Sequence, residues 1–181
     1  MKRLLSLVLA LILLAGVSVA SAKEVTFETA YFTLTLPSGW EVENESEKAD
    51  EDLEFLGVCY ENRSKFMAIF AYLVYYEDLK DISLWDADDS QLEVYAQAVL
   101  EDYADDNPEW IDTIIVGSIP FILIHAEDED GEYLYADTMT NGYAIQLEAM
   151  ILDDDFEKQY PITEGDLALF QSIIETFQPV T

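Results

Sequence analysis

The chain has 181 residues and sets 38 Asp and Glu against 8 Lys and Arg, a formal net charge of −30, yet 51% of its residues are hydrophobic and 13% aromatic. That apolar content excludes a disordered acidic tail and predicts one folded domain with its charge on the surface. Such a surface repels nucleic acid and anionic lipid, which leaves a protein, a small ligand or a divalent cation as partner, and its self-repulsion favours a monomer.

Residues 1–22, MKRLLSLVLALILLAGVSVASA, open with Lys2 and Arg3, run apolar from Leu4 to Val19 and close on Ala20-Ser21-Ala22. This is the layout of a secretory signal cleaved after Ala22, so the remaining residues 23–181 are expected outside the cell or in its envelope. After it, the longest apolar run, residues 66–76, is about half of a membrane span, so no membrane insertion is expected.

In VTFETAYFTLTLPSGWEVE, Phe32, Leu34 and Leu36 alternate with Thr33 and Thr35, a half-buried strand broken at Pro37-Ser38-Gly39. Residues 44–52 read as a polar loop. Strands follow at 54–61 and 65–75, joined by the turn ENRS, and residues 77–89 form an acidic connection. The lone cysteine, Cys59, falls within the first of these strands. A buried, small apolar role suits it, and a nucleophilic pair with His125 is the sharper alternative.

SQLEVYAQAVLEDYADDN predicts a helix. Ser90 and Glu93 have the spacing of a capping box, and Leu92, Tyr95, Ala96, Val99, Leu100 and Tyr103 form one apolar stripe that ends before Pro108. Glu101, Asp102, Asp105 and Asp106 crowd its carboxyl terminus, where the dipole is already negative. Asp102, Asp105 and Asp106, with the last-turn carbonyls, are therefore the candidate ligands for a calcium ion; a solvated acidic surface is the alternative.

Strands are predicted near 111–116, 119–127, 132–140 and 143–151, with Asn141-Gly142 as a type I′ turn. The only histidine, His125, lies in IHAEDEDGEYLY. A two-residue turn at Asp130-Gly131 would set His125 opposite Ala136, on an apolar face with Phe121, Leu123, Leu134, Thr138, Ile145, Leu147 and Ala149. Asp128, Glu129, Asp130 and Glu132 then ring a hairpin tip, which alone has too few ligands for calcium. The opposite face carries Tyr133, Tyr135, Asp137, Gln146 and Glu148, with Met139 and Met150. This mixed face either contacts a partner or is covered by a helix. Finally, TEGDLALFQSIIETF predicts a second helix, with Thr163 and Asp166 as caps and Leu167, Phe170, Ile174 and Phe177 as its stripe.

These elements describe one α+β domain, a largely antiparallel sheet of six or seven strands flanked by two helices. The stretch FTLTLPSGWEVE, residues 32–43, resembles the entry motif F-x-x-x-x-P-x-G-W of the PsbP-like (photosystem II subunit P-like) proteins, carried mostly by Pro37, Gly39 and Trp40. The resemblance implies an α/β/α sandwich over about residues 25–178, a fold shared with the Mog-type import factors. It also implies a noncatalytic binding or assembly role. Some members of that family hold divalent cations, but none of their ligand residues can be matched here. The sequence has no G-x-S-x-G, H-E-x-x-H or phosphate-binding glycine loop. The expected activity is therefore binding and not catalysis, without an obligate cofactor. A calcium-binding envelope protein is the first alternative and an acid-based hydrolase the second.

Overall fold

The structure is a computed structural model that describes residues 23–44, 46–48, 52–129, 131–156 and 158–180. The signal segment 1–22 lies outside the described residues, as does Asp130.

The first predicted strand is a hairpin. β1 (Val25–Glu28) and β2 (Phe32–Leu36) pair antiparallel. The Thr29 hydroxyl turns the chain between them by accepting from the Tyr31 and Phe32 amides. Phe32, Leu34 and Leu36 are buried while Thr33 and Thr35 are half-buried, as the alternation requires. After Gly39 (φ 87°), β3 (Trp40–Glu43) crosses to a second sheet, and Trp40 is buried at the junction. Part of the expected 44–52 loop pairs as β4 (Glu47–Lys48).

β5 (Leu53–Glu61), β6 (Lys65–Tyr75), β7 (Glu109–Val116), β8 (Ile119–Glu127), β9 (Glu132–Thr140) and β10 (Tyr143–Asp153) complete the path β3-β5-β6-β10-β9-β8-β7. Two short strands, β4 on β5 and β11 (Gln159–Tyr160) on β10, bring this sheet to nine. The expected six or seven strands are thus its long path. The shortfall is the two-residue strands and the separate sheet β1-β2-β12, closed by β12 (Gln178–Pro179). β6 and β10 pair over eleven residues, from Lys65↔Asp153 to Tyr75↔Tyr143, and join the early strands to the later ones.

Both faces of the large sheet are covered. Met67, Ile69, Phe121, Leu123, Leu134, Ala136, Ile145 and Leu147 pack under the small sheet and under α2 (Glu164–Ile174), whose Phe170, Ile173 and Ile174 are buried. The Thr163/Asp166 capping box is present. On the other face Ile122, Ile124, Ala126 and Tyr135 pack under Ala96 and Val99 of α1 (Asp89–Asp102). Cover on both sides explains why β8 reads as an unbroken apolar run, IPFILI, in place of an alternation. Full burial of a side chain the size of Leu or Phe favours folding by roughly 1.5–3 kcal/mol, so these two layers dominate stability.

Two expectations are corrected. The capping box of α1 is Asp88 with Gln91, not Ser90 with Glu93. Asp is at least as good a cap as Ser, and the earlier start sets Asp89 in the first turn, where the dipole favours it. The β8–β9 turn spans residues 128–131, not two residues. Glu127 faces Glu132 and His125 faces Leu134, with Leu123 opposite Ala136. A slip of two residues leaves every side chain on its expected face. At Asn141-Gly142 the two-residue turn forms as expected, with φ of 52° and 78°.

Candidate functional site beneath the end of the first helix

The Asn141-Gly142 turn fixes the β9–β10 register, so Tyr135 lies opposite Glu148 and Asp137 opposite Gln146 on one face. α1 crosses this face. Its carboxyl-terminal cap, Tyr103, stacks on Tyr135 with ring centroids 4.2 Å apart, and Tyr135 continues to Tyr133 at 6.0 Å. Burial, before any neighbouring charge, holds the Tyr103 and Tyr135 hydroxyls far above the usual phenol range.

Two carboxyls lie behind this row of rings. Asp137 is fully buried, and burial pushes its pKa up to about 8. The Gln146 amide opposes that shift, while Asp102 and Glu148 add to it as like charges. Neither Asp137 oxygen has a hydrogen-bond partner of ordinary geometry, so Gln146 helps by proximity and not by a formed bond. Glu148 is pushed up to about 7, first by burial and then by the charges of Asp106 and Asp128.

After Asp102 the chain makes a 3-10 turn, Ala104–Asp106, then turns through Asn107 in the left-handed region (φ 45°). The Asn107 side chain donates to the Glu127 carbonyl at 3.2 Å. That bond seats the helix end against the β8–β9 tip. Asp105, Asp106, Asn107, Glu127, Asp128 and Glu129 line one open cup of about 580 Å³. Asp102 instead lines the neighbouring cleft with Tyr76, Tyr103 and Gln146.

The structure therefore divides the helix-end trio between two concavities and couples each to the tyrosine-lined face. Among that face's residues, Tyr135 and Asp137 are buried under α1, while Tyr133, Gln146 and Glu148 are half-buried. Among the described residues no three His, Cys, Asp or Glu side chains converge closely enough to hold a metal ion. What sequence reasoning missed is the meeting itself. In the sequence the tip acids and the helix-end acids are separate features, and Asn107 before Pro108 is the one local sign of a sharp turn there.

His125 is partly exposed at the hairpin, with Nε2 3.3 Å from a Glu132 oxygen that also accepts from the Ile162 amide. Cys59 is buried on β5, with β6, β10 and β9 between it and β8. Burial holds its thiol well above the usual range. The two residues form no nucleophilic pair.

No protein-family model matches the sequence, and no curated protein matches it. Solved structures do show similar folds. The cyanobacterial PsbP (CyanoP) of Synechocystis sp. PCC 6803 shares 13% identity, covering 90% of this chain and 96% of its own, at a TM-score of 0.49. The likeness is to the PsbP fold. LpqN of Mycobacterium tuberculosis, a protein involved in cell envelope biogenesis, shares 13% identity over 88% of this chain and 91% of its own, at 0.46. A Bacteroides thetaiotaomicron VPI-5482 protein shares 12% identity over 89% of this chain and 49% of its own, at 0.41. At these identities the likeness to PsbP concerns the course of the backbone only.

Proposed function

We propose that the chain is an exported, noncatalytic binding or assembly module, and that its contact site is the acidic cup where the end of α1 meets the β8–β9 tip. The observation that carries this reading is the cup itself: acids from two separate elements share one concavity, with the half-buried Glu148 coupled to both. Carboxylates grouped beside a low-dielectric wall focus a negative field, and the chemistry that answers it is a Lys or Arg side chain of a partner. Export rests on the pattern of residues 1–22.

A second reading, a calcium site, draws on the same donors, which are all oxygen ligands of the type calcium takes. Asp105, Asp106, Asp128 and Glu129 would then have to draw together around the ion.

Thermal unfolding at fixed, fairly high ionic strength separates the two readings, because general screening is then constant. On the first reading, millimolar calcium leaves the midpoint unmoved. A Lys- and Arg-rich peptide binds in titration calorimetry, and the double variant Asp105→Asn, Asp106→Asn weakens it about tenfold. A calcium-induced rise of several degrees that this variant abolishes would replace the first reading with the second. A peptide that binds the variant and the parent equally removes the cup from consideration.

A further inference from the structure

A different concavity lies at the start of α1. The first half of that helix and the connection before it face each other across an apolar groove of about 300 Å³. Leu79 and Ile82 form one side, Val94, Tyr95 and Ala98 the other, and the buried Met139 the floor. Val94 is 69% exposed and Ile82 46%. Valine is among the poorer helix formers, and nothing in the packing of α1 asks for it at an exposed position. The small residues Ser90 and Ala98, one helical turn either side of Val94, keep the groove open.

The charge around the groove decides what fits it. Residues 77–106 contain eleven acids and one lysine. Asp78, Asp81, Asp88, Asp89 and Glu93 are all exposed. The lysine, Lys80, is already held by Glu77 at 2.8 Å. A second copy of this chain would bring the same field and be repelled, as would an anionic bilayer. An apolar strip ringed by acids matches a segment with the opposite pattern, apolar side chains on one face and cations on the other.

We propose that this groove docks a cationic amphipathic helix of a partner protein, its apolar side chains seated between Ile82 and Val94 and its Lys or Arg side chains over the surrounding acids. The proposal deepens the binding-module reading by naming the partner's chemistry, and it places that contact apart from the acidic cup.

The test uses fluorescence anisotropy of three labelled peptides of about fourteen residues, four helical turns. These are an amphipathic Lys/Leu helix, the same residues scrambled, and a Glu/Leu counterpart. The amphipathic Lys/Leu peptide is expected to bind at least about tenfold more tightly than the scrambled one, and the Glu/Leu peptide not to bind. The variant Val94→Gln, Ile82→Ser alters two exposed side chains, and circular dichroism and melting check that it stays folded. It should lose about tenfold or more, while Asp154→Asn, Asp155→Asn, which removes two exposed charges at the far end of β10 from Met139, should bind as the parent does. Equal binding by the groove variant, or by the scrambled peptide, overturns the groove. Loss in Asp105→Asn, Asp106→Asn with none in the groove variant overturns it too and leaves the binding-module reading standing. Failure of every cationic peptide to bind overturns both.

Discussion

At Asp137 the fold encloses a carboxyl between β9 and α1 without a well-formed hydrogen bond to either oxygen. Its ordinary pKa of 3.8 rises to about 8, because burial disfavours the charged form. Between those values the folded chain keeps a proton that the unfolded chain has released. Its contribution to stability is thus fully present below pH 3.8 and is lost as pH rises toward 8. Asp137→Asn keeps the shape and removes the titration. In thermal melts at constant ionic strength, the variant should match the parent near pH 4 and exceed it increasingly up to pH 8. A residual slope should remain from Glu148, which is raised in the same direction. Asp137 was legible in the sequence as a polar residue in an alternating strand, but its burial was not, because that depends on where α1 crosses. Gly57 was not legible at all. It holds φ of 135° at an irregularity in β5, where an added Cβ would lie 2.5 Å from the Glu43 carbonyl of the crossing strand. A single glycine in a strand says that a bulge is possible, and only the partner strand says why it is needed.

Among the elements, α1 is the one whose attachment is most easily tested. Its stripe was readable from spacing, since Ala96 and Val99 are buried and Tyr95, Leu100 and Tyr103 pack beside them. Its first residue was not, because Asp88 and Ser90 both carry capping chemistry and only the packing of the preceding connection chooses between them. Tyr103→Phe keeps the ring over Tyr135 and should change the free energy of unfolding by less than about 1 kcal/mol in urea titrations. Tyr103→Ala removes the ring from a half-buried stack and should cost about 2–4 kcal/mol. The same pair separates packing from contact in the binding assays above, since only the alanine variant loosens the helix end that carries Asp105 and Asp106. For the candidate site, local reading found the acids and the tyrosines. It missed their meeting because the Asn107 bond to the Glu127 carbonyl spans 20 residues and leaves no periodic trace.

For the whole molecule, composition predicted a folded body with a charged surface, and the two covered faces of the nine-stranded sheet supply that body. The antiparallel order came through because hairpin turns and alternation are local signals. The second sheet did not, since β12 is two residues long and pairs with β2 from the far end of the chain. A formal net charge of −30 predicts a solution property as well. The unfolding midpoint should rise steadily between about 10 mM and 500 mM sodium chloride as repulsion is screened, and should level off near 1 M. A midpoint indifferent to salt would mean that the acids are neutralised locally in pairs.

The eleven-residue seam between β6 and β10 makes the molecule divisible. On one side stand β3, β5 and β6, and on the other β7 to β11. The 76–88 connection is the covalent link from one set to the other, and it crosses with two 3-10 turns and no long strand. A chain cut there by a specific protease yields two halves, each a meander with one long unpaired edge complementary to the other's. Expressed together, the halves should reassemble into a soluble heterodimer, with the pairing of β2 and β12 as a second clasp. Expressed alone, each should aggregate through its bare edge. Fused to two other proteins, the halves would act as a split reporter whose assembly records that those proteins have met.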